Sequence, residues 1–440
     1  MLKQNGYERI ELNKPDEEGY SIGEENIKPV NQLVDKKVEI NIINNDEDKI
    51  YNRIDDNNDK DKPVTVSNIK QSKRKRLYWV DALRVLATYM VITIHCSDMD
   101  HKKKMVFFSG EWKSFYFYYC ILKPCVPLFI MISGLLFLDP NKNVTLTSLY
   151  RKSIPRLLKA YFFWATYYST FDKLLVNKDH RQFTIDGQFF YSVVEDMILA
   201  RTGNQLWYIK YCIGIYMFIP IFREVIPHKA LTWYTAGISC ICFQLIPTIC
   251  EFLRVFTPLD RVASIIKTFL DNLRLYPFTG CIAYLMFGYL LNVNVLTKQR
   301  HIIYFYIIGI LGFILTPVLM MTACYVNGKY GRNFGDYMNF NVCMYTVGMF
   351  MFFKYSVDRY LKKLIKRNRF KKALIALSDC SFGIYLLHYN IYRILLRIDF
   401  HPHSVGFPIL FIPFYSFLIF SISFVCIYFM RKIKILKEIT

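Results

Sequence analysis

The sequence predicts an all-α fold: a polytopic membrane helix bundle of about ten transmembrane helices, preceded by a disordered N-terminal tail. Three observations carry this expectation. Ten apolar stretches, each about the length of a bilayer crossing, fill the chain from Trp79 to Met430. The composition is 53% hydrophobic, with 37 Phe and 33 Tyr, more apolar surface than a soluble domain of 440 residues readily buries. Basic residues gather in alternate short loops, as they do on the cytoplasmic side of membrane proteins.

The stretches run over residues 79–97, 114–138, 154–176, 205–222, 230–250, 275–293, 302–325, 338–356, 372–396 and 406–430. The first follows Lys73-Arg74-Lys75-Arg76 and opens on Tyr78-Trp79, a basic stop followed by interfacial aromatics. The second is interrupted by Lys123-Pro124 and Pro127, then by Ser133-Gly134; prolines free backbone carbonyls that neighbours must satisfy. The third carries Pro155 in its first turn, and the fourth starts behind Trp207-Tyr208. The remaining six are apolar runs bounded by charged loops. With the N-terminus inside, loops 139–153, 223–229, 294–301 and 357–371 and the segment after Met430 are expected in the cytoplasm. From Lys354 to Lys372 there are nine Lys/Arg and one Asp. The run His101-Lys102-Lys103-Lys104 goes against this orientation, because it falls on the outer side.

Residues 1–72 hold 11 Lys/Arg against 16 Asp/Glu, so the net charge of +21 lies wholly in the membrane part. Its place in short loops accounts for it, and nucleic acid is not needed as a partner. The tract Asn41–Asp61 is rich in Asn and Asp and poor in apolar side chains, the composition of a disordered tail. No basic start followed by an apolar core is found at Met1, so the first span is expected to act as the insertion signal. The twelve cysteines form no Cys-x-x-Cys pair and read as small hydrophobes, not as a metal site.

Ionisable side chains within spans are costly and need a reason. Arg84 and His95 lie eleven residues apart on the first span. Eleven residues are about three helical turns, so both share one face, separated by about 17 Å along the axis. Asp81 lies at i−3 from Arg84 and can neighbour it. Arg84 reads either as an arginine snorkelling to the cytoplasmic surface or as a contact for an anionic group. His95 reads either as an interhelical hydrogen-bonding group or as a base for a hydroxyl proton. His388, in Tyr385-Leu386-Leu387-His388, carries the same two readings without a nameable partner. Lys210 should face a carboxylate, an anion or a hydrated cavity. Arg151 and Lys152 read first as solvated positive-inside charge, whereas Arg156 enters the third span.

These residues resemble acyltransferase family 3 of integral membrane proteins. The resemblance rests on Tyr78–Ala87 continuing to Ile94-His95, and on Val126–Leu136. It continues in Leu206–Ile209, in Ile215-Tyr216 with Pro220, in Phe287–Tyr289 and in Ser381–His388. The segments occur in the family's order over about residues 76–430. Many members carry Arg-x-x-Arg at the start of the third helix; here Arg156 fits the second position and Ser153 occupies the first, beside Arg151 and Lys152.

The resemblance implies a membrane acyltransferase domain over residues 73–440 behind the cytoplasmic tail 1–72. Within the family the pattern is similar to the O-acetyltransferases of surface polysaccharide units. It implies transfer of an acyl group, commonly acetyl, from acyl-CoA as co-substrate to a hydroxyl of a carbohydrate or lipid-linked acceptor. His95 is then the base, and Arg84, Arg151, Lys152 and Arg156 hold the donor. Asp81, Lys123, Ser133, Trp207, Lys210 and His388 are candidate pocket residues, and no metal or bound cofactor is expected. The rival reading is a polytopic transporter of an anionic solute, in which the same charges line a pathway.

Overall fold

In a hydrocarbon environment every backbone N–H and C=O must find its partner within the chain, and a helix does this locally. The computed structural model describes residues 76–97, 105–175, 187–199, 201, 203–275, 280–293, 299–402 and 407–440, and among them the regular structure is helical throughout. The tail 1–72, with its tract Asn41–Asp61, and the run His101–Lys104 lie outside the described residues.

The helices follow the apolar stretches, with breaks where the chemistry demands them. The first stretch is α1 (Tyr78–Cys96). The second divides into α2 (Gly110–Ile121) and α3 (Cys125–Phe137) at Leu122-Lys123-Pro124, because Pro124 has no N–H to continue the ladder. Ser109 caps α2 by accepting from Trp112 N–H. A single turn, α4 (Leu146–Ser148), and a π-type turn over Leu149–Ser153 lead into α5 (Ile154–Leu175). Then come α6 (Gly187–Ile198) and α7 (Trp207–Val225). The fifth stretch forms α8 (Lys229–Cys240) and α9 (Ile246–Phe256), joined by a π-type turn. After α10 (Asp260–Asn272) follow α11 (Gly280–Leu290), α12 (Gln299–Asn327), α13 (Phe340–Phe352) and α14 (Asp358–Leu364). The chain closes with α15 (Asn368–Arg397), α16 (Pro408–Met430) and the short α17 (Lys434–Lys437).

By length and composition, five helical segments among the described residues are long and apolar enough to cross a membrane. They are Tyr78–Cys96, Gly110–Phe137, Lys229–Phe256, Gln299–Asn327 and Pro408–Met430. This is a multi-pass membrane bundle. Besides the shorter α4, α14 and α17, two helices of about three turns, α6 and α10, fall in segments that the apolar pattern left as loops. Helix α10 interleaves apolar and charged residues at helical spacing, and α6 is a short apolar helix of 12 residues with Glu195-Asp196 near its end, so neither reads as a bilayer-length apolar stretch. In α10, Ala263 is fully buried while Asp260, Arg261 and Lys267 are exposed, and the helix packs on α9.

Burial separates the core from the rim. The apolar window of α1 is 67% buried and that of α12 only 17%, so α1 is central and α12 peripheral. Helix α1 packs against α3, α15 and α16, and α3 packs against α11. The α3–α11 contact is backbone to backbone. A Cβ added at Gly134 would lie 1.9 Å from the Leu285 carbonyl oxygen, and one at Gly288 would lie 2.0 Å from that of Met131. Small residues permit such approach between membrane helices.

Side chains also fix which helix ends share a face. Arg223, at the end of α7, donates to the carbonyls of Phe137, Asp139 and Lys142 at 2.7–2.9 Å. Lys354 donates to Leu291 and Asn292 carbonyls at the end of α11. The twelve cysteines are free; most are buried, while Cys426 is exposed on the outer surface of α16 instead of buried.

Candidate active site

Two polar stripes run side by side on α1 and α15. On α1 the stripe is Asp81, Arg84 and His95; on α15 it is Ser378, Ser381, Tyr385 and His388, at the 3- and 4-residue steps that keep side chains on one face. The helices run in the same direction. Arg84 Nη1 donates to Ser378 Oγ at 3.3 Å, and eleven residues later the His95 ring lies 5.3 Å from the His388 ring, centroid to centroid. Ten residues separate Ser378 from His388, so the stripes stay in register over about 15 Å.

At the first end the arginine is braced. Asp81 is buried, accepts from Ser378 Oγ at 2.7 Å, and lies 4.0 Å from Arg84. It also accepts two N–H groups from Arg76, which in turn donates to Asp379. Arg76 precedes α1, and its hydrogen bond to Asp81 holds the guanidinium pKa above its already high ordinary value. Arg84 itself remains half-buried and faces a cavity of about 170 Å³. Around it the cavity is lined by Ser133 from α3, Tyr208 and Tyr216 from α7, and Ser381 and Tyr385 from α15. The Ser133 hydroxyl donates to the Phe129 carbonyl within its own helix.

Tyr385 joins this cavity to the histidines. Its ring is 5.9 Å from Tyr208 and 5.9 Å from His388, and its hydroxyl donates to the Gln205 carbonyl. His388 is fully buried, with Nδ1 2.6 Å from the Tyr385 carbonyl oxygen. His95 is only half-buried and also meets the edge of Tyr389 at 5.5 Å. A cation, a cavity and a pair of imidazoles therefore follow one another along a single axis. The acyltransferase domain of acyltransferase family 3 matches the chain over residues 77–430. The chain belongs to that family. No characterised protein and no solved structure gave a significant match.

The acyltransferase does not gather all the charges that its sequence singles out. Arg151 and Lys152 are exposed on the π-type turn before α5. Arg156 is exposed too, but its guanidinium lies 5.9 Å from the ring of Phe382, a cavity-lining residue, and donates to the Thr440 carbonyl. Lys210, a candidate pocket residue, is not among those lining the cavity around Arg84. It is exposed on α7, one turn from the helix start, where a long side chain can reach the interface. Lys123 and Trp207 meet elsewhere, through Tyr337. Buried Lys123 places its ammonium 3.6 Å from the Tyr119 ring centroid and 5.7 Å from that of Tyr337, on which Trp207 stacks at 5.9 Å.

Ser378, Ser381, Tyr208, Tyr216 and Tyr385 were not singled out as site residues. The signal for the α15 members was present, as polar residues spaced by three and four within an apolar helix. Larger grooves on α5 and between α12 and α13, of about 720 and 370 Å³, contain no Arg, Lys, His, Asp or Glu. They face outward, where lipid chains would lie.

Proposed function

We propose that this acyltransferase is an O-acyltransferase with ten membrane crossings and both termini in the cytoplasm. It would take an acyl group, acetyl in the simplest case, from cytosolic acyl-CoA to a hydroxyl of a carbohydrate or lipid-linked acceptor. The observation that carries this reading is the axis from Arg84 through the cavity and Tyr385 to the His95–His388 pair. A cavity of 170 Å³ has room for a segment of a slender thioester arm and not for a nucleotide. The nucleotide phosphates would stay outside, near Arg156, Arg151 and Lys152, with Arg84 at the mouth, as charge-assisted contacts favour.

In this reading His95 accepts the proton of the acceptor hydroxyl as the oxygen attacks the thioester carbonyl carbon. The tetrahedral centre collapses, the C–S bond breaks, and the CoA thiolate takes the proton back from His95. The products are the O-acyl ester and free CoA. The partly exposed ring of His95 suits a group that must meet substrate, and its distance from Arg84 matches a donor that spans from phosphates to thioester.

The test is incubation of purified protein with labelled acetyl-CoA and a panel of monosaccharides and glycolipids, for the wild type, His95→Ala and Arg84→Ala. His95→Ala should lower turnover by about 10² to 10⁴-fold with acetyl-CoA binding retained. Arg84→Ala should raise the donor KM with less effect on kcat, because it binds ground and transition states alike. A folded His95→Ala protein with normal turnover would sink the base assignment. Anion flux without label transfer would instead support the transporter.

A further inference from the structure

His388 contains a buried atom that the fold leaves without a partner. Its Nδ1 lies 2.6 Å from the Tyr385 carbonyl oxygen, and a carbonyl oxygen can only accept. Nδ1 therefore carries the hydrogen, and in the neutral ring Nε2 carries a lone pair. That Nε2 has no hydrogen-bond partner among the described residues, and His388 has no exposed surface. A protonated ring would replace the lone pair by a charged N–H donor, equally buried and equally unpaired, at greater cost. Native folds rarely leave a buried polar atom unused without a reason, and a buried acceptor costs about 1–3 kcal/mol when unsatisfied.

The surroundings show what the lone pair faces. The His95 ring centroid is 5.3 Å away with the planes inclined by 38°. At that spacing a nitrogen of each ring can meet at hydrogen-bonding distance after a modest turn about χ2. The two rings differ in exposure: His95 is half-buried and can reach substrate, whereas His388 stands behind it with none. A histidine that takes a proton at one nitrogen must present N–H at the other, and that N–H needs an acceptor if the tautomer is to be fixed.

We propose that His388 is the positioning residue for His95: its Nε2 accepts the His95 N–H, so that the opposite nitrogen of His95 faces the hydroxyl as a base. The order would be hydroxyl to His95, His95 N–H to His388 Nε2, and His388 Nδ1–H to the Tyr385 carbonyl. No proton leaves His388 during the reaction. The hydroxyl proton moves to His95 and from there to the departing CoA thiolate. Helices α1 and α15 running in register place the two rings together, so the polar stripe on α15 gains a purpose along its whole length. The proposal rests on the reading of His95 as the base.

The experiment uses the full chain in detergent and follows release of labelled acetate from acetyl-CoA by water, a reaction that needs the same base. His388→Leu should lower kcat by about tenfold or more, with the KM for acetyl-CoA within about twofold of wild type. His388→Gln should recover much of that loss, because the glutamine amide oxygen falls near the position of Nε2 and can accept the same N–H. Thermal unfolding and gel filtration of each variant would confirm that both are folded; Gln and Leu are close in size, so packing alone predicts similar losses for the two. Equal kcat for Gln and Leu variants would overturn the proposal, as would normal turnover of His388→Leu. His95→Ala separates the two levels. If it is inactive while His388→Leu is normal, only the positioning role falls; if it is fully active, the base assignment itself is wrong.

Discussion

Asp81 serves the site without any need to touch a substrate. It collects hydrogen bonds from Arg76 and Ser378 and lies 4.0 Å from Arg84, whose Nη1 also reaches Ser378. Asp81→Asn keeps the shape but removes the charge that opposes two guanidinium groups in a buried place. The donor KM is expected to rise by roughly threefold to tenfold, with kcat little changed, since the variant loosens Arg84 and leaves the histidines alone. An acetyl-CoA saturation curve checks this; a kcat loss at constant KM would place Asp81 in the chemistry instead. At this scale the sequence revealed what one helix contains. Arg84 and His95 share a face by helical repeat alone, and Asp81 follows at i−3. His388 had no nameable partner, because its neighbour is 293 residues away and depends on how α15 packs. The exposure of Lys210 was not legible for a similar reason: a lysine near a helix end turns inward or outward according to its neighbours, which local sequence does not specify.

Among the elements, α3 lines one side of the cavity, and its separation from α11 is fixed by glycine. Both Gly134 and Gly288 meet backbone of the opposite helix at distances no Cβ tolerates, and Gly134 adjoins Ser133 of the cavity wall. Gly134→Ala or Gly288→Ala would force the helices apart, an overpacking effect of about 1–3 kcal/mol. Each is expected to lower the thermal midpoint and to weaken acetyl-CoA binding. Gly214→Ala on α7 and Gly237→Ala on α8 meet open space and serve as controls expected to leave the midpoint unchanged or slightly raised. Equal effects at all four positions would mean that helix propensity and not the close approach is being measured. The apolar runs and the Pro124 break were legible because hydropathy and the missing N–H act locally. The helices α6 and α10 were not, since α6 is too short for a bilayer-length apolar run and the apolar residues of α10 are spread among charges.

For the whole molecule, the ordered motifs across residues 77–430 made the family legible, while the orientation in the membrane rests on charge and on same-face contacts. Arg223 ties the Lys142 carbonyl, next to Asn143, to the end of α7. Asn143 and the exposed His228 after α7 must then lie on one side of the membrane, whichever side that is. The basic residues of these loops argue for the cytoplasm. Asn143-Val144-Thr145 fits a glycosylation acceptor and Asn143 is exposed, so in the cytoplasm it should remain unmodified. Endoglycosidase digestion of protein made in a glycosylating cell is expected to give no mobility shift. A shift that disappears in Asn143→Gln would invert the orientation and put Arg84 on the outer side, away from cytosolic acyl-CoA. A second measurement tests the fold independently of orientation. In a Cys426→Ser background, Asn143→Cys and His228→Cys should react with an impermeant maleimide from the same side of sealed vesicles. Reaction from opposite sides would contradict the Arg223 tether itself, whereas same-side reaction together with a glycan at Asn143 would leave the bundle intact and reverse only the face at which the donor enters.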